Sequence, residues 1–175
     1  MISFMKLKFD PNQQYQLDAI QAVVDIFTGQ PKDIGGANRH IDQSGQLSLE
    51  ATIAKGNSLV LDVAQIIKNT HKIQEKNGIE KSETKEGGFS IPMTFPLEIN
   101  EKSLKHGMNF SIEMETGTGK TYVYLRTIHE LHQHYGWKKF IIVVPSVAIR
   151  EGVLKNLAIT REHFADLYSK PEMDY

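Results

Sequence analysis

The sequence predicts an α/β fold with a parallel βαβ core, and three consecutive segments carry the prediction. Residues 110–114 alternate apolar and polar side chains, which is typical of a strand. A glycine-rich loop and an amphipathic helical pattern follow, and residues 139–145 then form a β-branched apolar run. Such runs are typical of parallel strands buried on both faces. Strand, loop, helix and strand in this order make one right-handed βαβ unit.

The loop at residues 114–121, Met-Glu-Thr-Gly-Thr-Gly-Lys-Thr, predicts a phosphate-binding site. We expect Lys120 to have a catalytic role at the β- and γ-phosphates of a nucleotide, and the Thr121 hydroxyl to bind Mg²⁺. Gly117 and Gly119 lack Cβ atoms, so the backbone N–H groups can turn toward phosphate. The expected nucleotide cradle comprises Thr116, Gly117, Thr118, Gly119, Lys120 and Thr121.

The alternative to a phosphate site is an accidental glycine-rich turn. A Gly-Lys-Thr sequence with a strand pattern before it and a helix pattern after it argues against that alternative. The helix pattern ends at Gly136, which is a suitable C-terminal stop. Its apolar residues at helical spacing are Tyr124, Ile128, Leu131 and Tyr135. One departure from the usual loop pattern is Met114, which stands where glycine is expected.

The N-terminal region predicts a second amphipathic helix. Asp10 is a suitable cap, with Pro11 at the first helical position. The apolar face that follows comprises Leu17, Ile20, Val24 and Phe27. Gln16 lies off this face, and its spacing alone favours a solvated or capping glutamine. Phe9 and Tyr15 are aromatic residues that can either stack on a base or pack against the core.

The turn after residues 139–145 lies at the carboxyl end of the second predicted strand, where ligands bind in open α/β sheets. Ser146 can cap the next helix. Ser146 and Arg150 are also suitable donors to the phosphates of a nucleic-acid backbone. The plainer alternatives are a cap only for Ser146 and a solvated side chain for Arg150.

Three histidines near the end of the helix that follows the loop suggest a metal site as one possibility. His129 and His132 are three residues apart and could share a helix face, with His134 nearby. No carboxylate or cysteine completes a familiar ligand spacing. We therefore favour partly exposed histidines near a helix C-terminus, where the cationic form is stabilised.

Composition limits the classes of protein that fit. The 175 residues suffice for one domain, and 40% hydrophobic with 23% charged residues is a soluble, globular composition. A net charge of −1 gives no overall attraction to DNA, so any DNA contact must be local. The absence of cysteine excludes disulfides and thiol chemistry and is compatible with a cytoplasmic location. No apolar run approaches a membrane span, so no membrane partner is expected.

Residues 30–108 predict an irregular inserted segment between the first helix and the phosphate loop. Within it, residues 57–77 suit a helix with a modest apolar face, and residues 80–88 form a polar, charged linker. Pro92 and Pro96 allow at most short or edge strands in residues 89–99. We favour a structural elaboration here over a surface that binds a partner or DNA.

Three segments together resemble a known family. Residues 114–128 resemble motif I of superfamily-two helicase-type motors, residues 142–152 resemble motif Ia, and residues 9–20 resemble the N-terminal glutamine-containing motif. The resemblance is strongest to the restriction (Res) subunit of type III restriction–modification enzymes. It covers roughly residues 5–28 and 108–168.

This resemblance implies a partial RecA-like domain that binds ATP and Mg²⁺ and contacts DNA. It implies that Gln16 reads the adenine edge, since an amide can donate and accept at once. It also implies that Ser146 and Arg150 grip the DNA backbone. In the family, the complete enzyme is an ATP-dependent hydrolase that translocates on DNA and cleaves it together with a Mod methyltransferase subunit.

The resemblance divides the chain into three parts. Residues 1–29 carry the adenine motif, residues 30–108 the insertion, and residues 109–175 the phosphate loop with motifs I and Ia. We expect the chain to be truncated before the family's Asp-Glu box and to be inactive alone. Two other possibilities stay open, namely another ATP-driven DNA helicase and a non-catalytic remnant that binds nucleotide.

Overall fold

The computed structural model describes residues 8–32, 57–79, 94–99, 102–108 and 110–169. Within these residues the chain forms four helices and one pair of strands. The elements are α1 (Gln14–Ile26), α2 (Val63–Lys76), β1 (Thr94–Ile99), β2 (Lys102–Met108), α3 (Lys120–Tyr135) and α4 (Val147–Tyr168). No helix in this part of the chain is both long and apolar enough to cross a membrane.

The two strands pair with each other as an antiparallel hairpin. Their register is irregular between Phe95 and Leu97, on either side of Pro96. Proline has no N–H to donate to the ladder, which explains an irregularity at this point. Each strand of a two-stranded sheet is an edge strand, so the expectation of short or edge strands in residues 89–99 is confirmed where the structure describes them.

The predicted parallel βαβ core is wrong, and with it the partial RecA-like sheet. Neither residues 110–114 nor residues 139–145 form a strand, and the hairpin is the sheet found among the described residues. An apolar run becomes a buried strand only where neighbours cover both its faces and its backbone. Here Ile141 and Val143 are 90% and 87% exposed. The loop at residues 114–121 is therefore preceded by irregular chain and followed by helix α3.

Helix α3 is the central element, because α1 packs on one of its faces and α4 on another. The α1 face forms an apolar cluster of Ile20, Val24, Val123, Leu131, Tyr135 and Trp137. The α4 face forms a second cluster of Tyr122, Leu125, Val153, Leu157 and Phe164. Burial of each large apolar side chain stabilises the fold by about 1.5–3 kcal/mol. Both clusters therefore fix the position of the helix that follows the phosphate loop.

Helix α1 begins at Gln14 rather than at Pro11, so the predicted cap at Asp10 is wrong. The Asp10 Oδ1 atom accepts a hydrogen bond from the Asn12 backbone N–H at 2.9 Å, which closes a turn ahead of the helix. Gln13 occupies the N-cap position without a side-chain cap bond. Phe9, just before this turn, packs against Tyr122 of α3, a contact that spacing does not reveal.

The predicted ends of the later helices are confirmed. Helix α3 ends at Gly136, whose φ of 72° is the left-handed conformation that glycine adopts without strain. Helix α4 starts after Ser146, whose hydroxyl accepts a hydrogen bond from the Ile149 N–H at 3.3 Å. The helix expected within residues 57–77 is present as α2, with Asp62 as its cap.

Residues 57–79 are attached to the chain at the ends of α1 and α3 by hydrogen bonds, several of them from buried side-chain amides. The Gln30 side chain donates to the Ser58 carbonyl and accepts from the Val60 N–H, both at 2.9 Å. The Trp137 indole N–H donates to the same Ser58 carbonyl at 3.0 Å. Asn69 of α2 donates to the carbonyls of Ile26, the last residue of α1, and of Thr28, just beyond it. This part of the middle segment therefore supports the α1–α3 core.

Candidate functional site: the phosphate loop and its neighbours

The loop predicted to bind phosphate bends through its glycines. Gly117 and Gly119 both have a φ of +84°, a conformation in which other L-residues are strained. The Thr118 hydroxyl donates to the Glu115 carbonyl at 2.6 Å and closes the loop on itself. Helix α3 starts directly afterwards, so its positive dipole end faces the loop. Glycine turns and helix N-termini of this kind are common features of anion-binding loops.

Lys120 lies at the first position of α3 and reaches back over the loop. Its Nζ donates to the carbonyls of Met114 and Glu115, the second at 2.9 Å. An ammonium group has three donors, and these two carbonyls engage two of them. The side chain is exposed, so the charge is held at the mouth of the loop and is accessible from solvent.

Gln16 joins the N-terminal helix to the phosphate loop. Its side chain is only 7% exposed, and its Nε2 donates to the Thr118 carbonyl at 2.9 Å, across 102 positions of sequence. A Cβ atom on Gly119 would lie 2.7 Å from the same Nε2. The solvated glutamine that spacing favoured does not fit this burial. Instead, the absence of a side chain at Gly119 makes room for Gln16.

The residues present fit a nucleotide phosphate with a divalent cation. A Cβ on Gly117 would meet nothing within 4 Å, so the loop has open space beside its turn. Thr121 is half-buried in the first turn of α3 and offers a hydroxyl oxygen, the ligand type that Mg²⁺ prefers. Thr116, nearer the start of the loop, is exposed.

The two residues expected at a DNA backbone lie at the start of α4. Ser146 is exposed and serves as the helix cap described above. Arg150 is exposed one turn later, and its Nη1 lies 3.3 Å from Glu151 Oε1. Both members of that pair are more than 60% exposed, so the pair is weak and Arg150 can exchange it for another anion.

The two aromatic residues near the N-terminus have different surroundings. Phe9 packs against Tyr122 with ring centroids 5.8 Å apart, and its ring also lies 5.2 Å from that of His163. Tyr15 is 49% exposed, and its hydroxyl donates to the Gln13 side chain. Core packing is therefore the role that the structure gives Phe9, while the Tyr15 ring remains accessible.

The three histidines near the end of α3 face different partners. The His132 Nδ1 lies 2.7 Å from the Trp137 carbonyl, the His134 Nε2 lies 3.7 Å from Glu130, and the His129 ring stacks on Tyr168. Among the described residues, no group of three or more histidine, cysteine or acidic side chains could hold a metal ion.

A polar cluster between α3 and α4 was not predicted from the sequence. Arg126 is 8% exposed, and its Nη1 donates to the Pro11 carbonyl at 2.5 Å. Its Nε lies 3.7 Å from Glu130 Oε1, which accepts a hydrogen bond from the Tyr168 hydroxyl at 2.7 Å. The Tyr122 hydroxyl and His163 Nε2 lie 2.9 Å apart. The i, i+4 spacing of Arg126 and Glu130 signals a pair but not its burial.

Burial governs the ionisation of this cluster. It raises the pKa of the Tyr168 and Tyr122 hydroxyls; Arg126 opposes both effects, and Glu130 adds to both. It lowers the pKa of His163, and the positive charge of Arg126 lowers it further, against the opposing effect of Asp166. The histidine ring is therefore held neutral more firmly than in water, while both tyrosines keep their protons.

The chain matches the family model described as "Type III restriction enzyme, res subunit" over residues 11–173. It is 32% identical over 170 residues to the type III restriction-modification enzyme EcoPI Res subunit of Escherichia phage P1, covering 95% of this chain and 14% of that protein. It is 31% identical over 169 residues to the EcoP15I Res subunit of Escherichia coli, with coverage of 95% and 14%.

A third relative matches over a shorter stretch but with a higher percentage of identical residues. Over 68 residues the chain is 48% identical to the StyLTI Res subunit of Salmonella typhimurium, covering 38% of this chain and 7% of that protein. The chain thus spans about one seventh of the length of the relatives that it matches throughout. With the family model matched along nearly the whole chain, this protein belongs to the Res subunit family of type III restriction enzymes.

Proposed function

We propose that this chain binds ATP through the phosphate loop and α1, as part of a type III restriction enzyme Res subunit. The observation that supports it best is the hydrogen bond from Gln16 to the Thr118 carbonyl. A side chain able to read an adenine edge is held against the loop suited to phosphates, although the two are distant in sequence. The proposed base contact and the proposed phosphate contacts are therefore adjacent.

Each group has a role that follows from its chemistry. Lys120 supplies the positive charge for the β- and γ-phosphates, and the N–H groups of residues 116–121 supply directed donors. Thr121 provides one oxygen to Mg²⁺, which neutralises phosphate charge when bound. Gln16 presents its amide to adenine while the bond to Thr118 fixes its orientation. These groups orient the nucleotide and stabilise charge on it.

For the complete protein we propose ATP-driven translocation on DNA and DNA cleavage, together with a Mod methyltransferase subunit. The support is membership of a family whose named relatives are Res subunits of restriction-modification enzymes. In this chain, Ser146 and Arg150 are the proposed contacts to the DNA backbone. Both are exposed, and both can donate to phosphate.

A titration of the purified chain with ATP and Mg²⁺ tests nucleotide binding. Lys120→Ala should weaken ATP about ten- to hundredfold, because a charge-assisted bond to phosphate is lost. Lys155→Ala is the matched control, since it removes an exposed lysine from α4, away from the loop. Equal affinities of wild type and Lys120→Ala, with unchanged circular dichroism, would remove the phosphate-loop assignment.

A further inference from the structure

The buried arginine in the α3–α4 polar cluster contacts the N-terminal region at one specific atom. Arg126 donates to the carbonyl of Pro11, which lies just ahead of the N-cap of α1. Phe9, two residues earlier, stacks on Tyr122, which lies one turn before Arg126 on α3. The segment that leads into α1 is therefore attached to α3 by a directed hydrogen bond and by a ring contact.

Core stability is a weak reason for an arginine at this position. Burying a charged group is costly, and an apolar side chain of similar size often stabilises a core more. Arg126 is moreover incompletely bonded, because its buried Nε has no hydrogen-bond partner among the described residues. What Arg126 gives that leucine or methionine cannot is a donor aimed at one backbone carbonyl.

That carbonyl is well placed to control the start of α1. Gln13, the N-cap, makes no side-chain cap bond, so no capping hydrogen bond from its side chain stabilises the first turn of α1. The bond from Arg126 to Pro11 holds the same region from outside. Gln16 lies in the first turn of α1, so a shift of the lead-in segment changes where its amide points.

Helix α3 connects this anchor to the phosphate loop. Lys120 and Arg126 are six residues apart on one helix, a distance of about 9 Å along its axis. The N-terminal region is thus attached at two points: Gln16 contacts the loop before α3, and Pro11 contacts the second turn of α3. Together, the two attachments set the position and the direction of the glutamine.

We infer that Arg126 is a positioning residue for base recognition, which holds Gln16 against the adenine through the Pro11 carbonyl. This inference rests on the proposed ATP-binding function. Glu130 keeps the guanidinium in place, and the Tyr168 hydroxyl orients that carboxylate. Arg126 is not a proposed phosphate contact, because the contacts described for its guanidinium are with Pro11 and Glu130.

The experiment measures binding of two probes, ATP and inorganic triphosphate, each with Mg²⁺. Triphosphate carries the charge of the nucleotide but no base. Arg126→Lys keeps the charge without the guanidinium's fixed geometry. It should weaken ATP about two- to tenfold, the effect of one misplaced hydrogen bond, and leave triphosphate unchanged. Glu130→Gln is a second, milder variant that preserves side-chain volume, and it should act in the same direction.

Two controls separate positioning from general destabilisation. Tyr135→Phe removes a buried hydroxyl bond to the Val24 carbonyl from the α1 face of α3, so it lowers stability without touching the polar cluster. Its ratio of ATP to triphosphate affinity should equal that of wild type. In a Gln16→Ala background, Arg126→Lys should produce no further loss of ATP affinity, because the residue through which it acts is gone.

The outcomes distinguish the inference from the proposed function. Equal losses of ATP and triphosphate in Arg126→Lys, or an unchanged ATP affinity in both Arg126→Lys and Glu130→Gln, would overturn the positioning role. Full additivity with Gln16→Ala would overturn it as well. If Lys120→Ala bound triphosphate as tightly as wild type does, the phosphate-site assignment itself would be wrong, whatever the arginine variants showed.

Discussion

The two faces of α3 differ in chemistry. The face toward α1 is apolar, and aromatic rings pack against each other there. The ring centroids of Phe27 and Trp137 are 4.7 Å apart in an edge-to-face arrangement. The face toward α4 combines an apolar cluster with a buried arginine, a glutamate and hydroxyl groups. The α1 face stabilises the fold by burying apolar surface. The α4 face is less stabilising for its size, because it buries charged and polar groups that make directed hydrogen bonds. A single helix after the phosphate loop serves both purposes.

The largest expected effect is on the apolar face. Trp137→Ala removes an 8%-exposed indole together with its bond to the Ser58 carbonyl. The free energy of unfolding should fall by about 3–5 kcal/mol, since a large side chain leaves a cavity that collapses only in part. Urea denaturation followed by circular dichroism measures this change. A loss below about 1 kcal/mol would show that the α1 face does not carry the fold.

A pair of tyrosine variants compares the two faces directly. Tyr135→Phe deletes the hydroxyl bond to the Val24 carbonyl, and Tyr122→Phe deletes the hydroxyl beside His163. Each should lower the free energy of unfolding by about 0.5–1.5 kcal/mol.

The two tyrosine variants should differ in their energetic coupling to His163. Combined with His163→Gln, the Tyr122 variant should be non-additive, because the two side chains are partners, and the Tyr135 variant should be additive. The double-mutant cycle is measured by urea unfolding. Additivity for both tyrosines would mean that the Tyr122–His163 contact contributes nothing to the free energy of unfolding.

The smallest expected effect is a pH dependence confined to the polar face. Burial, aided by Arg126, lowers the pKa of His163 from its ordinary value of 6.5. The folded chain then binds fewer protons at this residue than the unfolded chain. The stability contributed by the neutral ring is complete above about pH 6.5 and falls as the pH drops below it toward the folded pKa.

His163→Gln should therefore reduce the slope of stability against pH just below pH 6.5 and leave it unchanged above. Thermal unfolding at a series of pH values measures that slope, and the difference from wild type isolates this histidine from the six others in the chain. An identical slope in both proteins would contradict the lowered pKa.

Features decided by neighbouring residues were predictable from the sequence. Gly136 ends α3, Ser146 caps α4, and the turn through Gly117 and Gly119 has the predicted backbone form. Each depends on a conformational or capping preference that acts over a few positions. The comparisons also confirm the family that three short motifs indicated.

Features decided by contacts distant in sequence were not predictable. The β-branched run at residues 139–145 has strand propensity, but propensity cannot say whether a partner strand covers it, and Ile141 is 90% exposed. Gln16 lies off the apolar face of α1, yet the phosphate loop buries it. No role was predicted for Arg126, because nothing near it in sequence shows that Pro11 lies against it.

The central claim is that Gln16 and the phosphate loop form one nucleotide site, and base discrimination tests it most directly. The measurement is titration of wild type, Gln16→Ala and Gln21→Ala with ATP and with GTP. Gln21 is the matched control, because it is an exposed glutamine of α1 that bonds only to Asp25 among the contacts described for it. We predict that Gln16→Ala weakens ATP more than GTP while Gln21→Ala changes neither. Equal losses of both nucleotides in Gln16→Ala would contradict the claim.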